Sequence, residues 1–387
     1  MTEQVEEAEF RASSELGAGA GIASSPWVVL KFGGSSVATA ANWKNIVGVV
    51  RNRLAASLRP MVVHSAIAGA SNALESILNA AVRGDADAEI AALRTRHCDL
   101  ASSLGLDGES LLAPYFAEMQ QIAAGVQLIH EVSPRVHVRM LALGVLMSTT
   151  LGAAYLNANG IDTVWADARK LLISEDAPRR SIAQNYLSAL CNFDADPALS
   201  ASLQENGSVV LTQGFIAGNS RGEPVLLGRE GSDTSAAYFA ARLQARRLEI
   251  WTDVPGMFTA DPKLVPSARL LAELHFDEAQ ELSSTGSRVL HPRCLGPLRR
   301  FGIPLFIRCT GAPRTSPWCR WRALPCGTRL AFSPKRLPAS ASTAYRLTLY
   351  QRRKPTSRCR SRTTITCFLT TSSAHWLRTL SSCAGCG

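Results

Sequence analysis

The sequence predicts an α/β fold of three layers, αβα, around a mainly parallel sheet. Short β-branched runs alternate with longer helical patterns, and several strand ends run through Gly- and Ser-rich turns into helix starts. The 387 residues are 46% hydrophobic and 19% charged, enough to bury a sizeable core and unlike a disordered or fibrous chain.

In chain order, residues 28–32 read as a strand, Gly33-Gly34 as a turn and 41–58 as a helix. A second strand covers 61–64, and the helix after it starts at Asn72 and runs to Val82. Helical periodicity fills 86–104, 109–130 and 136–158 in succession, and the later strands are 163–165, 208–211, 248–252 and 303–307. One domain over 27–312 suffices, preceded by a flexible acidic arm, 1–26, and followed by a basic tail, 313–387.

The formal net charge of +10 is not spread along the chain. The tail holds 14 Lys or Arg and no Asp or Glu, so the residues before it carry 27 basic and 31 acidic side chains, a net of −4. A mildly acidic body argues against a nucleic-acid partner. Glu281 is the last carboxylate, and 106 residues follow it. Three readings of the tail stay open: a nucleic-acid arm around Arg352, Arg353, Lys354, Arg358, Arg360 and Arg362, a metal knuckle at Cys383 and Cys386, and an unstructured or out-of-frame segment. The start carries Glu3, Glu6, Glu7, Glu9 and Glu15 where a secretory signal would be basic, and no uninterrupted apolar run has membrane-spanning length. Four scattered cysteines in the body, Cys98, Cys191, Cys294 and Cys309, suit a reduced cytoplasmic protein.

Four motifs could carry chemistry. Lys31-Phe32-Gly33-Gly34-Ser35-Ser36-Val37 ends the first strand; its glycines would let backbone amides approach an anion and its lysine would face phosphate oxygens, or it is only a tight turn. Residues 65–72, with Ser65, Ser71 and Asn72, could bind substrate, or Ser71 or Asn72 could simply cap the next helix. In Arg229-Glu230-Gly231-Ser232-Asp233, a guanidinium beside Gly and Ser at a helix start would receive a carboxylate, the alternative being a cap at Ser232 or Asp233. Residues 251–263 follow a strand with two turns, at Pro255-Gly256 and Asp261-Pro262, and could grip a nucleotide.

Together, and with Arg288-Val289-Leu290-His291-Pro292, these motifs resemble the aspartate kinases of the amino acid kinase superfamily, over about 27–310. Kinases of glutamate, acetylglutamate, carbamate and uridylate share that fold, but GREGSDTSA followed by VLHP favours aspartate. The resemblance implies the amino acid kinase fold and ATP- and Mg2+-dependent phosphorylation of L-aspartate, the entry to lysine, threonine and methionine. It implies Lys31 and Asp233 as catalytic residues, and Ser65, Ser71, Arg229, Ser232 and Asp233 as the aspartate site. It places ATP on Lys31, Gly33, Gly34, Ser35, Thr252, Asp253, Phe258, Asp261, Lys263 and Arg288, with magnesium carried by ATP rather than by protein ligands.

The chain also departs from the family pattern. Val145 stands where members carry a glutamate, Glu230 replaces a glycine, and Arg288 a lysine. The alternative these departures raise is a nucleotide-binding relic without turnover. Members continue into regulatory ACT domains that often form a dimer; after Thr310 no βαββαβ pattern is legible, so feedback inhibition is expected to be absent and any homodimer weakened.

Overall fold

The computed structural model describes residues 20–175, 179–205, 207–253, 256–259, 265, 267–271, 273–284, 290–309, 319–322, 344–350 and 362–368. The chain divides into two compact units, residues 1–323 and 324–387. In the second, the described strands Ala344–Tyr350 and Arg362–Phe368 pair antiparallel. Much of the basic tail, including Cys383 and Cys386, lies outside the described residues.

The first unit is built on one sheet. Its six parallel strands run in the order β3 (Thr163–Ala166), β4 (Val209–Gln213), β2 (Arg59–His64), β1 (Trp27–Phe32), β7 (Arg247–Thr252) and β9 (Leu305–Cys309). Beyond β9, Cys319–Arg322 pairs antiparallel to β9 and parallel to Glu273–His275. The three-layer reading and the six strand positions hold, with ends shifted by one or two residues. The small elements lack a periodic signature and were not foreseen: the hairpin of β5 (Ile216–Gly218) and β6 (Pro224–Leu226), and the short helices Ala168–Leu171, Ile182–Leu187 and Pro197–Gln204.

The central strands are buried on both faces, which explains their continuous apolar runs: Val28, Val29, Leu30 and Phe32 are at most 1% exposed, as are Met61, Val62 and Val63. Glu249 of β7 breaks this pattern inside the core. Arg53 and Arg247 approach its Oε1 at 3.0 and 2.7 Å, Arg308 approaches Oε2 at 3.4 Å, and Trp251 Nε1 donates to Oε2 at 3.2 Å. Burial opposes ionisation of this carboxyl, but Arg308, Arg53 and Arg247 overcome it and hold the group well below the usual carboxylate range.

The longest of the described helices, α6 (Pro134–Ala158), follows α1 (Ala20–Ser24), α2 (Ala40–Ala55), α3 (Ala70–Arg83), α4 (Asp87–Ser103) and α5 (Gly108–Ile129). Ser133 starts it, accepting from Val136 N, with Pro134 in the first turn. It is long and apolar enough to cross a membrane by composition, but 83% of that stretch is buried inside the fold, so it reads as a core helix.

Candidate active site

Register assembles the site. Phe32 of β1 pairs with His64 of β2 and Trp251 of β7, and His64 pairs with Gln213 of β4, so four strand ends stand level. The loops after them, from Gly33, Ser65, Gly214 and Thr252, gather along one sheet edge. β1 lies where the strand order reverses, with β2, β4 and β3 on one side and β7 and β9 on the other, the usual place for a ligand crevice in such sheets.

Glycine holds the first two loops together. A Cβ at Gly34 would lie 2.8 Å from Ala66 O and 3.2 Å from Ala68 N, and Ala68 N donates to Gly34 O at 3.1 Å. Only a residue without a side chain lets these backbones meet. Beside them, Lys31 Nζ lies 2.6 Å from Asp233 Oδ1, with the two side chains 12% and 8% exposed. Asp233 sits in the first turn of α10 (Gly231–Arg242), where the helix dipole favours a negative charge. A third link joins the second loop to the same helix: Ser65 Oγ donates to Ser232 Oγ at 2.9 Å.

The helix-cap alternatives fail. α3 starts after Gly69, in the left-handed conformation with no side-chain cap, and Ser71 lies within its first turn. α10 starts after Glu230, also left-handed and with no side-chain cap, so neither Ser232 nor Asp233 is a cap. Ser232 is instead joined to Ser65, and Asp233 to Lys31. Arg229 and Glu230 are both exposed.

His64 and Cys294, which motif reading passed over, and Ser148, on the same helix stretch as Val145, support the constellation. His64 is fully buried, and its Nδ1 donates to Ser65 O at 2.9 Å, fixing the start of the second loop. Burial pushes its pKa down to about 4, with the Ser65 bond a smaller opposing effect, so the ring is neutral at neutral pH. Its signal was its place as the last residue of a strand. Ser148 Oγ lies 3.5 Å from the same Nδ1, and Val145 lies one turn earlier on that stripe of α6, buried at 1% exposure. Cys294 is buried beside the ion pair; burial, then Asp233, pushes its thiol well up, while Lys31 pulls it down. Nothing in sequence spacing could have placed it there.

On the β7 side, Thr252 Oγ1 donates to Asp253 Oδ1 at 3.1 Å. Gly33 approaches Lys31, Ser35 is exposed with its carbonyl accepting from Asn42 Nδ2 at 2.9 Å, and Phe258 forms a bridge with Leu270. Asp261, Lys263 and Arg288 lie outside the described residues. Among the described residues no group of three or more His, Cys, Asp or Glu gathers as a metal nest.

Comparisons with known proteins agree with this architecture. The aspartokinase of Chlamydia pneumoniae is 33% identical over 291 residues, covering 74% of this chain and 61% of the relative. The lysine-sensitive aspartokinase 3 of Escherichia coli strain K12 is 33% identical over 294 residues, covering 74% and 62%. The chain thus spans about three-fifths of the length of these curated relatives. In three dimensions it is similar to E. coli aspartokinase III in complex with aspartate and ADP (R-state), with TM-score 0.67, 29% identity and coverage of 84% of this chain and 69% of that one. The same enzyme with lysine and aspartate (T-state) aligns with TM-score 0.60 and 30% identity, covering 84% and 70%. The amino acid kinase family matches residues 26–309, from β1 through β9, and the chain belongs to that family, with a catalytic domain similar to those of the aspartokinases.

Proposed function

We propose that this chain transfers the γ-phosphoryl group of ATP to the side-chain carboxylate of L-aspartate, giving 4-phospho-L-aspartate and ADP, the first step toward lysine, threonine and methionine. The observation that carries the reading is the Lys31–Asp233 pair, nearly buried at the level ends of β1, β2 and β7. A substrate carboxylate oxygen attacks the γ-phosphorus and the bond to the ADP oxygen breaks, so the protein need supply only alignment and charge stabilisation. Lys31 is aimed at the transferring group and Asp233 holds its ammonium in place. The Gly33-Gly34 turn offers backbone amides to phosphate oxygens, with Ser35 beside it.

In this reading Arg229, with Ser65, Ser71 and Ser232, receives aspartate. Thr252 and Asp253 border the nucleotide, joined by Phe258, Asp261, Lys263 and Arg288. Magnesium would enter on the ATP phosphates and neutralise charge there.

The test is an ATP- and magnesium-dependent aspartyl hydroxamate assay on the full chain, with L-glutamate as the control acceptor. Hydroxamate from aspartate and none from glutamate is the expected result. Silence with ATP still bound would replace this reading by a nucleotide-binding relic, for which the buried apolar Val145 is the motivating observation.

A further inference from the structure

We propose that Arg293 is a positioning residue for the acceptor side of the reaction: its guanidinium clamps the backbone of the loop 227–230 and so fixes where that loop presents Arg229 to L-aspartate. This rests on the aspartate kinase reading and names the group that holds the acceptor loop in place.

Arg293 follows His291-Pro292, the end of the last sequence motif, to which the proposed reaction gives no role. These two residues start the helix Pro292–Phe301: His291 is extended, its Nδ1 accepts from Arg293 N at 3.2 Å, and Pro292 occupies the first turn. The helix packs against α10, and its first turn delivers the half-buried Arg293 side chain to the 227–230 loop. Nη1 donates to Leu227 O at 2.6 Å and to Ser188 Oγ at 3.2 Å, and Nη2 donates to Ala189 O at 2.9 Å. One planar group thus joins its own helix to two other stretches of chain, 66 and 104 positions away.

The loop depends on this clamp. Leu227 N donates to Phe215 O at 2.9 Å and Gly231 N to Gly228 O at 3.0 Å, and among the described residues Arg293 is the only side chain that bonds the backbone of 227–230. Gly228 lets the loop come this close, because a Cβ there would lie 3.0 Å from Ser188 Oγ and 3.1 Å from Arg293 Nη1. All three acceptors are uncharged, so the charge on the guanidinium strengthens bonds to two carbonyls rather than being spent on an ion pair. A lysine ammonium is a point charge and cannot reproduce this planar fork. Arg293 bonds none of the residues on the nucleotide side, Gly33, Gly34, Thr252 and Asp253, so its effect falls on the acceptor.

The experiment measures L-aspartate affinity by calorimetry and ADP release by the full chain, for the parent, Arg293→Lys and Arg293→Ala. Both variants should weaken Kd and raise KM for L-aspartate about tenfold while KM for ATP stays at the parent value. Guanidinium chloride at about 20 mM, far below denaturing concentrations, should return Arg293→Ala to within about threefold of the parent, and sodium chloride at the same concentration should not. Arg293→Lys keeps most of the stem and carries the test alone if Arg293→Ala does not fold. Parent-like aspartate affinity in Arg293→Lys, equal losses for aspartate and ATP, or a folded Arg293→Ala that guanidinium does not restore would overturn the positioning role and leave the kinase reading intact. A parent chain that neither binds nor turns over L-aspartate would overturn both.

Discussion

The Lys31–Asp233 pair permits a test in which stability and catalysis separate. Their charged atoms are 2.6 Å apart with side chains only 12% and 8% exposed, so removing either partner strands a charge away from water. Breaking a buried pair costs about 3–5 kcal/mol, and the slight exposure of both groups favours the lower end. Asp233→Asn, which leaves an ammonium with no counter-charge, should lose about 3 kcal/mol of unfolding free energy. Lys31→Met should lose about 2 kcal/mol, because the first turn of α10 still favours the carboxylate. In the double variant neither charge remains, so its loss should be about 2 kcal/mol rather than the sum, a coupling of about 3 kcal/mol. Urea unfolding followed by circular dichroism supplies the four free energies. Turnover should behave differently: all three variants should lose roughly a thousandfold or more in kcat, since the double variant regains stability without regaining the cation. Additive stability losses would refute the claim that these two groups neutralise one another, and near-parent turnover in Lys31→Met would refute its role at the transferring phosphoryl group.

Three further outcomes follow from the same geometry. Gly34→Ala should displace the second loop, because the new Cβ would meet Ala66 O at 2.8 Å; a loss of ATP affinity of about tenfold or more in calorimetry, in a chain that still unfolds cooperatively, is the expected result. His64 titrates near 4 when folded against 6.5 when free, so the unfolded chain takes up the proton first, and stability is full above about pH 6.5 and falls as pH drops toward 4. At pH 5 that loss is roughly 2 kcal/mol, and His64→Gln should flatten the profile in this window, as read by urea unfolding at successive pH values. Glu249→Gln should remove the counter-charge of three buried arginines and lower stability by about 3–5 kcal/mol in the same assay; a loss below about 1 kcal/mol would refute the claim that the carboxylate offsets their charge.

The sequence by itself determined the layer architecture and the identity of the loops. Period-two and period-3.6 patterning is a local property, so the strands around Leu30, Val62 and Ile250 and the long helices from 70 to 158 could be read without coordinates. The motif chemistry was equally local, since a lysine before paired glycines, or an arginine beside Gly and Ser, carries its reactivity wherever it is placed.

What only tertiary structure decided is which polar groups meet. Strand register, set by the packing of both sheet faces, brings Phe32, His64, Gln213 and Trp251 level and so carries Lys31 to Asp233, 202 positions away in the chain. Cap chemistry at Ser71, Ser232 and Asp233 was plausible in sequence, but left-handed residues at Gly69 and Glu230 start those helices earlier. The core Glu249 with its three arginines, and the neutral His64 behind Ser65, depend on long-range burial, for which neighbouring residues hold no signal. Local sequence supplied the reactive groups, and the packing of the sheet fixed their mutual distances, because a charge in the core is tolerated only where the fold delivers its partner.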